Sequence, residues 1–504
     1  MATEAQPSLR AAWVVAGAVA LLHFWNNTGY GHFRDELNYM ACGDHLAWGF
    51  VDHPPMIPAL VKLCRMLFGD SLRSIRLVAT LASAATVLLT ALLARQLGGN
   101  RFALLLAAVT AAIAPIYLAN GALLTTNTLE PVFWTLCAWC AVKAIQGEPR
   151  YWLGFGVALG LGLEEKYSIG VFGAAIALGL IATRERRQFR SPWIWAGAGL
   201  ALLIFLPNLL WNQAHGWPFL ELMRNIRAEG RDVVLGPGEF LLQQMFILHP
   251  LTALVWIPGL VALLVVKRFA PYRALGLAFL ATLGFFLVTH GKNYYLAPAY
   301  AMLMAAGAVV VGDYLINRWA QAGVVALLLV SGAQAAPMSM PILEPSRLLA
   351  YMHALGVELP RTEVSHTAAL PQHFADQFGW RELAALAGKT WQGLPEEDRK
   401  DCPFFGQNYG HAGAVDFFGR QYGMPAALSG HQTYFLWGPQ GHSGRCLIVA
   451  GDRREVLERL FEDVRYVGTT DAPYALEGHI PLFVCRRPKF GTLEELWPKL
   501  KKWG

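Results

Sequence analysis

Phe33-Arg34-Asp35-Glu36-Leu37-Asn38-Tyr39 follows the first long apolar segment of the chain, and Asp52-His53-Pro54-Pro55 follows in the same loop. Apolar residues after Asp35 recur at a spacing that is typical of a helix lying on a membrane surface. The two prolines begin a second apolar helix over 56–68, because proline is favoured in the first helical turn. The pattern predicts two acidic pairs held at a lipid–water boundary.

The composition is that of a polytopic membrane protein. Of the 504 residues, 55% are hydrophobic and only 15% are charged, whereas a soluble chain carries about a quarter charged residues. The mean hydropathy is +0.36. Apolar runs of about 20 residues, the length that crosses a hydrocarbon core of roughly 30 Å, recur up to residue 336 and predict about eleven membrane helices. We place these spans near 12–31, 74–94, 102–118, 127–145, 152–163, 168–183, 193–211, 241–266, 273–289, 294–312 and 319–336.

The distribution of Lys and Arg predicts the orientation. If the N-terminus is inside, the basic residues near 95–101, 143–150, 184–190, 267–273 and 318 all lie on the cytoplasmic side, where they are enriched in membrane proteins. The loop 32–73 and the segment from 337 then lie on the opposite face. We therefore predict an integral protein of a bacterial inner membrane whose acidic loop faces the periplasm.

The C-terminal segment, 337–504, reads as a small soluble α/β domain. The sequence predicts helices near 380–387, 411–422 and 453–461, and strands near 403–407, 446–450, 464–468 and 480–486. Gly406, Gly410 and Gly413 occur where a strand passes into a helix, so they either meet a turn requirement or open a helix N-terminus to an anion. The residues favour the turn.

The net charge indicates which partners the chain favours, and the cysteines bear on its compartment. The net charge of +6 is largely explained by cytoplasmic anchoring, so the sequence argues against nucleic acid and favours anionic lipid headgroups. Seven cysteines include Cys402, Cys446 and Cys485 in the outer segment, where an oxidising compartment permits disulfides. The odd count leaves the pairing open.

The acidic loop supplies the groups that transfer chemistry at a membrane surface requires. A general base is a carboxylate within hydrogen-bonding reach of the proton it removes, and a leaving phosphate needs cationic or hydrogen-bonding partners. The alternative is that Asp35 and Asp52 cap the helices that follow them, which is a common role of aspartate. From the residues alone, both interpretations stay open.

The order of these motifs resembles a known family. An Asp-Glu pair after the first span, followed by an acidic residue, a polar residue and Pro-Pro, is similar to the lipid-linked-sugar glycosyltransferases of the GT-C fold, which include protein O-mannosyltransferases and the lipid A aminoarabinose transferase. The likeness covers roughly 1–336. Three further stretches carry it: Leu124-Thr125-Thr126-Asn127-Thr128-Leu129-Glu130-Pro131-Val132-Phe133-Trp134, Gly162-Leu163-Glu164-Glu165-Lys166-Tyr167 and Gly291-Lys292-Asn293-Tyr294-Tyr295-Leu296-Ala297-Pro298.

The resemblance implies roles for the acids. Asp35 is expected to be the catalytic carboxylate that deprotonates or orients the acceptor, with Glu36 supporting it. Asp52 corresponds to the second acidic position of the family. His53 stands where the aminoarabinose transferases have lysine, a phosphate partner, so this sequence departs from the pattern there.

Further residues are expected to bind substrate. Because histidine is cationic only part of the time near neutral pH, either Lys166 and Lys292 neutralise the donor phosphate or His53 is protonated beside Asp52. Ordinary snorkelling of the two lysines is the alternative. The predicted substrate-binding residues are Arg34, His53, Lys166, Lys292 and Tyr294.

The implied function is transfer of a sugar from a polyprenyl-phosphate donor to an envelope lipid, glycan or protein, such as in lipopolysaccharide modification. Direct displacement by one base and one acceptor predicts inversion at the anomeric carbon. Asp35, Asp52 and His53 have no spacing that specifies a metal, so no cofactor is predicted, although a divalent cation stays open. Two other classes also stay open: a transporter or flippase for a lipid-linked saccharide, against which the absence of a visible repeat argues, and a non-catalytic envelope scaffold.

Overall fold

A computed structural model describes residues 7–358, 363–364 and 366–504. These residues pack as two units. The first unit comprises 7–29, 73–210 and 234–344, and the second comprises 30–72, 211–233 and the described part of 345–504. Each unit is built from several separate stretches of the chain.

The first unit is helical. Its α-helices are Arg10–Asn26, Leu77–Gln96, Arg101–Ala112, Pro115–Ala122, Glu130–Ile145, Tyr151–Glu165, Ser168–Ile181, Pro192–Ala214, Pro237–Ile247, Ala253–Val265, Arg273–Val288, Tyr300–Tyr314 and Arg318–Ala335, and its 3-10 helices are Arg184–Arg190, Pro250–Thr252, Lys267–Tyr272, Asn293–Ala299 and Ala336–Met338. The last four residues of Pro192–Ala214 fall in the second unit. The short helix Leu72–Ile75 contains the point, between residues 72 and 73, where the chain passes from the second unit into the first.

By length and composition, five helices of the described chain are candidate membrane spans, and the number rises to eight if each of three bent helix pairs is one span. All eleven predicted segments fall on helices. The three that are outside the eight candidates are Arg10–Asn26, Glu130–Ile145 and Tyr151–Glu165, with 17, 16 and 15 residues. The polytopic helical architecture is thus present, and these three helices are shorter than the runs of about 20 residues that usually cross a bilayer.

Small residues allow the helices of the first unit to pack closely. Ala253–Val265 and Tyr300–Tyr314 meet at Gly259 and Gly307, where an added Cβ would collide with the main chain of the opposite helix. Such contacts replace the hydrophobic driving force that is missing between helices in lipid. Elsewhere in the unit, Trp134 stacks on Phe172 with ring centroids 4.6 Å apart.

The second unit contains a four-stranded sheet. Its strands are β1 (Phe404–Gly406), β2 (Cys446–Ala450), β3 (Phe461–Thr469) and β4 (Pro481–Pro488), in the order β1-β2-β4-β3. β1 is parallel to β2, and the other neighbours are antiparallel. A disulfide joins Cys402, which precedes β1, to Cys446 at the start of β2. Residues buried on the sheet include Phe405, Leu447, Val449, Phe483 and Cys485.

The helices of the second unit surround this sheet and come from all three of its stretches. They are Arg34–Asp44, Met56–Phe68, Pro218–Glu229, Pro345–Leu355, Gln372–Ala375, Trp380–Gln392, Glu396–Arg399, Tyr409–Phe418, Thr433–Leu436, Arg454–Leu460 and Leu493–Leu496, with 3-10 turns at Gly419–Tyr422 and Trp497–Leu500. Every helix and strand that the sequence predicts after residue 337 coincides with one of these elements.

The grouping of segments differs from the predicted domain limits. We placed the acidic loop 32–73 with a membrane module 1–336, and the residues 337–504 in a separate domain. The structure instead packs 30–72 into one unit with the C-terminal residues. The loop contributes to a small hydrophobic cluster there, because Val51 is buried with Leu222 and Trp503. Where the membrane boundary falls stays a prediction.

Candidate functional site

The helix Arg34–Asp44, here called the acid helix, carries the first acidic pair in its first turn. The Glu36 carboxylate is fully buried, and its Oε2 accepts the backbone N–H of Phe33 at 2.8 Å. Glu36 therefore closes the N-terminus of the helix in the manner of a capping box. Asp35 does not cap, and its side chain is partly exposed. The two adjacent acids have different surroundings.

Asp35 is held by a tyrosine from the C-terminal residues. The hydroxyl of Tyr409 donates to Asp35 Oδ1 at 2.7 Å. Burial raises the pKa of Tyr409 well above its ordinary value, so the phenol keeps its proton and remains a donor. The positive end of the helix dipole also favours a carboxylate in the first turn. The sequence did not indicate that this tyrosine contacts Asp35, because 374 positions separate the two residues.

Arg34 forms ion pairs with two acidic residues of the C-terminal segment. Its Nη2 lies 3.4 Å from Asp376 Oδ2, and its Nη1 lies 3.9 Å from Glu477 Oε1. The backbone N–H of Arg34 also donates to Asp376 O at 3.1 Å. Burial raises the pKa of Asp376 to about 7, although the guanidinium opposes the rise. These contacts fix the start of the acid helix, and the substrate-binding role of Arg34 stays a prediction.

Asp52 and His53 lie side by side in the same unit. His53 Nδ1 donates to Pro54 O at 2.9 Å, and Nε2 lies 3.7 Å from Asp52 Oδ1. Neither Nε2 nor Asp52 Oδ1 has a hydrogen-bond partner within the described ranges. Burial raises the pKa of the Asp52 carboxyl, and His53 offsets part of that rise. Asp52 therefore holds a proton more readily than an exposed carboxyl does.

The alternative role of Asp52 as a cap is not what the structure contains. The helix Met56–Phe68 begins after Pro55 and has no side-chain cap. The ring of His53 is instead packed against Tyr39 and Phe50, with centroids 5.0 and 4.9 Å away. His53 is 2% exposed, so its position is set by aromatic packing.

Arg231 is a further cation of this unit that sequence analysis did not select. Its side chain is 25% exposed, and its Nη2 lies 3.3 Å from Glu363 Oε1. The charge of Arg231 acts on the pKa values of both Asp52 and His431. A guanidinium stays charged at every relevant pH. The only sequence signal was its place between the predicted spans 193–211 and 241–266, where the predicted topology puts a long loop on the outer face.

The glycines after β1 allow two helices to approach closely. A Cβ on Gly410 would lie 2.7 Å from Arg34 Cγ, and one on Gly413 would lie 3.0 Å from the carbonyl carbon of Leu37. The helix Tyr409–Phe418 therefore packs directly on the acid helix. The predicted turn requirement describes only Gly406, which faces the next turn of its own chain. The other two glycines bring Tyr409 to Asp35.

The first unit holds the remaining predicted residues. Lys166 Nζ donates to Asn127 Oδ1 and to Glu130 Oε2, the latter at 3.0 Å. Its ammonium lies 4.5 Å from the centroid of Tyr295 and 5.8 Å from that of Tyr294. Lys166 and Tyr294 are thus brought together, and Glu130 balances the lysine charge.

Lys292, which we also predicted to bind substrate, immediately precedes the 3-10 helix Asn293–Ala299 in this first unit. Its role stays a prediction. No group of three or more His, Cys, Asp or Glu side chains that is arranged to hold a metal ion occurs among the residues that the structure describes.

Comparisons with known proteins bear on the fold. A family model described as dolichyl-phosphate-mannose-protein mannosyltransferase matches residues 52–211. The undecaprenyl phosphate-alpha-4-amino-4-deoxy-L-arabinose arabinosyl transferase 1 of Pseudomonas fluorescens is 26% identical over 312 residues, which cover 55% of this chain and 51% of that protein. The chain thus spans about half the length of this curated relative.

Solved structures match over nearly the whole chain. ArnT from Cupriavidus metallidurans, bound to undecaprenyl phosphate, has a TM-score of 0.63 at 13% identity and covers 94% of this chain and 97% of its own. The oligosaccharyltransferase of Archaeoglobus fulgidus, in complex with Zn and sulfate, has a TM-score of 0.51 at 13% identity, with coverages of 97% and 76%.

The protein is therefore an integral membrane protein of the GT-C fold, as the motifs predicted. Within that fold, it is similar to the aminoarabinose transferases and to the protein mannosyltransferases.

Proposed function

We propose that the protein transfers a sugar from a polyprenyl-phosphate donor to a lipid, glycan or protein acceptor of the cell envelope. The observation that carries the proposal is the arrangement around Asp35, a partly exposed carboxylate at a helix N-terminus that accepts a hydrogen bond from Tyr409. Asp52 lies in the same unit. The undecaprenyl phosphate bound by the structural neighbour ArnT supports the donor class.

In the proposed reaction, Asp35 accepts the proton of an acceptor hydroxyl or amine as that atom attacks the anomeric carbon. One bond forms between the acceptor and the anomeric carbon, and the bond from that carbon to the phosphate oxygen breaks. The polyprenyl phosphate leaves with the electron pair, so no nucleotide is required. A single displacement inverts the anomeric centre.

The leaving phosphate requires cations. Arg231 is the best supported cation of the second unit, because it is permanently charged and a quarter exposed. His53 is buried and held by aromatic rings, so we assign it to orienting Asp52. Lys166, whose charge Glu130 already balances, together with Lys292 and Tyr294, is proposed as a second group of donor contacts.

The proposed setting is a bacterial inner membrane with eleven spans, in which the three short helices cross where neighbours or a local thinning of the bilayer shorten the path. The acid helix and the C-terminal residues then face the periplasm. The disulfide between Cys402 and Cys446 supports this orientation, because disulfides persist in oxidising compartments.

Metal dependence is a separate question with its own test. Asp35, Asp52 and His53 offer oxygen and nitrogen donors, as Mg²⁺, Mn²⁺ or Zn²⁺ sites do. We propose a metal-independent reaction, because Tyr409 and Arg231 already supply a hydrogen bond and a charge. Transfer that disappears on exhaustive chelation and returns with one added cation would contradict this.

The transporter and scaffold alternatives make different predictions from the enzyme. A flippase moves a lipid-linked saccharide without breaking a bond, and a scaffold keeps its function when Asp35 is neutralised. The hydrogen bond that Asp35 accepts from a tyrosine of a distant part of the chain favours catalysis, since active sites hold their reacting groups in place through such supporting contacts.

The deciding experiment is a transfer assay with purified protein in lipid nanodiscs and a panel of radiolabelled polyprenyl-phosphate sugars. Asp35→Asn should abolish transfer. Asp44→Asn is the matched control, because Asp44 ends the same helix and pairs with Lys62 at 2.8 Å on the surface. Equal transfer by the Asp35→Asn and wild-type proteins would refute the assignment. NMR of the product reports the anomeric configuration.

A further inference from the structure

The hydroxyl of Tyr409, a residue of the C-terminal segment, holds the proposed base Asp35 in place. Tyr409 is 6% exposed and donates to Asp35 Oδ1 at 2.7 Å. A neutral phenol stabilises a carboxylate through a strong hydrogen bond, and it adds no positive charge beside the acid. The contact is therefore suited to a base that has to remain reactive.

The ring of Tyr409 is held from two sides. It stacks on the imidazole of His431, with centroids 5.1 Å apart and planes 16° apart, and the guanidinium of Arg34 lies 5.7 Å from its centroid. The backbone N–H of Tyr409 donates to His431 Nδ1 at 3.3 Å. Burial lowers the pKa of His431 to about 3, so the imidazole is neutral and its Nδ1 is free to accept. The hydroxyl has little freedom to leave Asp35.

The same part of the chain also fixes the backbone next to Asp52. Thr433 Oγ1 accepts the backbone N–H of Val51 at 3.0 Å. Between His431 and Thr433, Gln432 has φ 46° and ψ −128°, a conformation that residues with a side chain rarely adopt. Strained residues of this kind persist where the surroundings enforce them, and they concentrate at functional sites.

Two contacts enforce the conformation of Gln432. Its N–H donates to Lys502 O at 3.0 Å, and its carbonyl accepts Trp503 Nε1–H at 3.1 Å. One short stretch, 431–433, thus packs against Tyr409 on one side and bonds to the Asp52 loop on the other. Both acidic positions of the proposed site depend on it.

We infer that Tyr409 is a positioning residue for Asp35, so that the C-terminal residues take part in the chemical step as well as in any binding of the acceptor. This inference rests on the proposed function. It goes beyond the acids and cations of the loops, because it assigns a role in the reaction to a residue of the C-terminal segment that bonds to the proposed base.

The test is Tyr409→Phe in the nanodisc transfer assay. Loss of a hydrogen bond to a charged group should lower kcat about 10- to 100-fold, while KM for the donor lipid should stay within about twofold, because the inferred role of the Tyr409 hydroxyl is confined to Asp35. Replacing Tyr409 by 4-aminophenylalanine, which keeps a donor at the same place, should restore most of kcat. If the Phe protein does not fold, 4-fluorophenylalanine, which fills the site without donating, takes its place.

Tyr434→Phe is the matched control, because Tyr434 is also buried and its hydroxyl donates to a carboxylate, Asp416 Oδ2, at 2.6 Å. Equal kcat values for the Tyr409→Phe and Tyr434→Phe proteins, with Asp35→Asn inactive, would overturn the inference and leave the proposed function standing. A wild-type protein that transfers nothing, or an active Asp35→Asn protein, would overturn the proposed function itself. A decrease confined to Tyr409→Phe, with rescue, supports both.

Discussion

Removal of the Cys402–Cys446 disulfide should destabilise the second unit by an amount that its loop length sets. The two cysteines are 44 residues apart. Closing a loop of that size removes unfolded-state entropy of −2.1 − 1.5R ln n cal/mol/K, which is about 4 kcal/mol at 25 °C. Both residues are buried, so the double Cys402→Ala/Cys446→Ala protein also loses a little packing.

The control for that packing loss is Cys485→Ala. Cys485 is fully buried on β4 opposite Leu447 of β2, and its thiol is free. It reports the cost of removing one buried sulfur without a cross-link, which is about 1 kcal/mol for a typical point change. Because the double variant removes two buried sulfurs, subtracting twice the cost of Cys485→Ala isolates the cross-link.

Urea-dependent pulse proteolysis in nanodiscs, read from fragments of 345–504, measures the free energy of unfolding of this unit. Thiol counting gives a second readout: alkylation of the denatured, unreduced protein should modify five of the seven cysteines. Modification of all seven cysteines, or a decrease in the free energy of unfolding no greater than that of Cys485→Ala, would refute the cross-link. Either result would also remove the support that the disulfide gives to a periplasmic location.

Two further predictions concern the acids. Glu36→Gln should keep transfer within a few-fold of wild type, because a glutamine oxygen still accepts the Phe33 N–H and preserves the cap; activity as low as that of Asp35→Asn would show instead that the Glu36 charge takes part in the reaction. Burial alone would raise the pKa of Glu477, but the hydrogen bond and charge of His411 outweigh it and lower that pKa to about 2. A lowered carboxyl pKa contributes stability above the ordinary value of about 4.3, and this is lost as the pH falls toward 2. The protection of amides in the second unit, which is the intrinsic exchange rate at each pH divided by the observed rate, should therefore fall in that window, and His411→Ala should flatten the dependence; a pH profile that His411→Ala leaves unchanged would contradict it.

Local patterns in the sequence were sufficient to predict the four strands and many of the helices, but not the helices Pro218–Glu229 and Pro345–Leu355. Apolar runs marked all eleven predicted spans, and alternating or amphipathic patterns marked every predicted element after 337, because both depend on neighbouring residues only. The lengths of individual spans were less predictable. Glu130–Ile145 has 16 residues, since its first residue is a buried acid paired with Lys166 rather than part of a longer apolar run.

Long-range packing was not predictable in the same way. The acid helix was expected on the membrane surface, and the structure packs it against Tyr409–Phe418, with Gly413 on Leu37. The spacing of glycines in a sequence does not indicate which element packs against them, and a turn accounts for the same spacing equally well. The capping alternative for Asp35 could not be decided from the sequence for a related reason, because Arg34, Asp35 and Glu36 are three consecutive polar residues at the helix start and only the structure shows that Glu36 reaches the backbone N–H of Phe33.

The geometry of the acids limits which of them can serve as the base. Glu36 is fully buried, and its carboxylate is committed to the backbone of its own helix. Asp52 is 22% exposed and lies beside the buried His53, with its Oδ1 3.7 Å from Nε2, and burial raises the pKa of its carboxyl. Asp35 combines partial exposure, a neutral hydrogen-bond donor and the positive end of a helix dipole. These surroundings present a hydrogen-bonded carboxylate that an acceptor can reach, and we assign Asp52 and His53 to orienting the acceptor that Asp35 deprotonates.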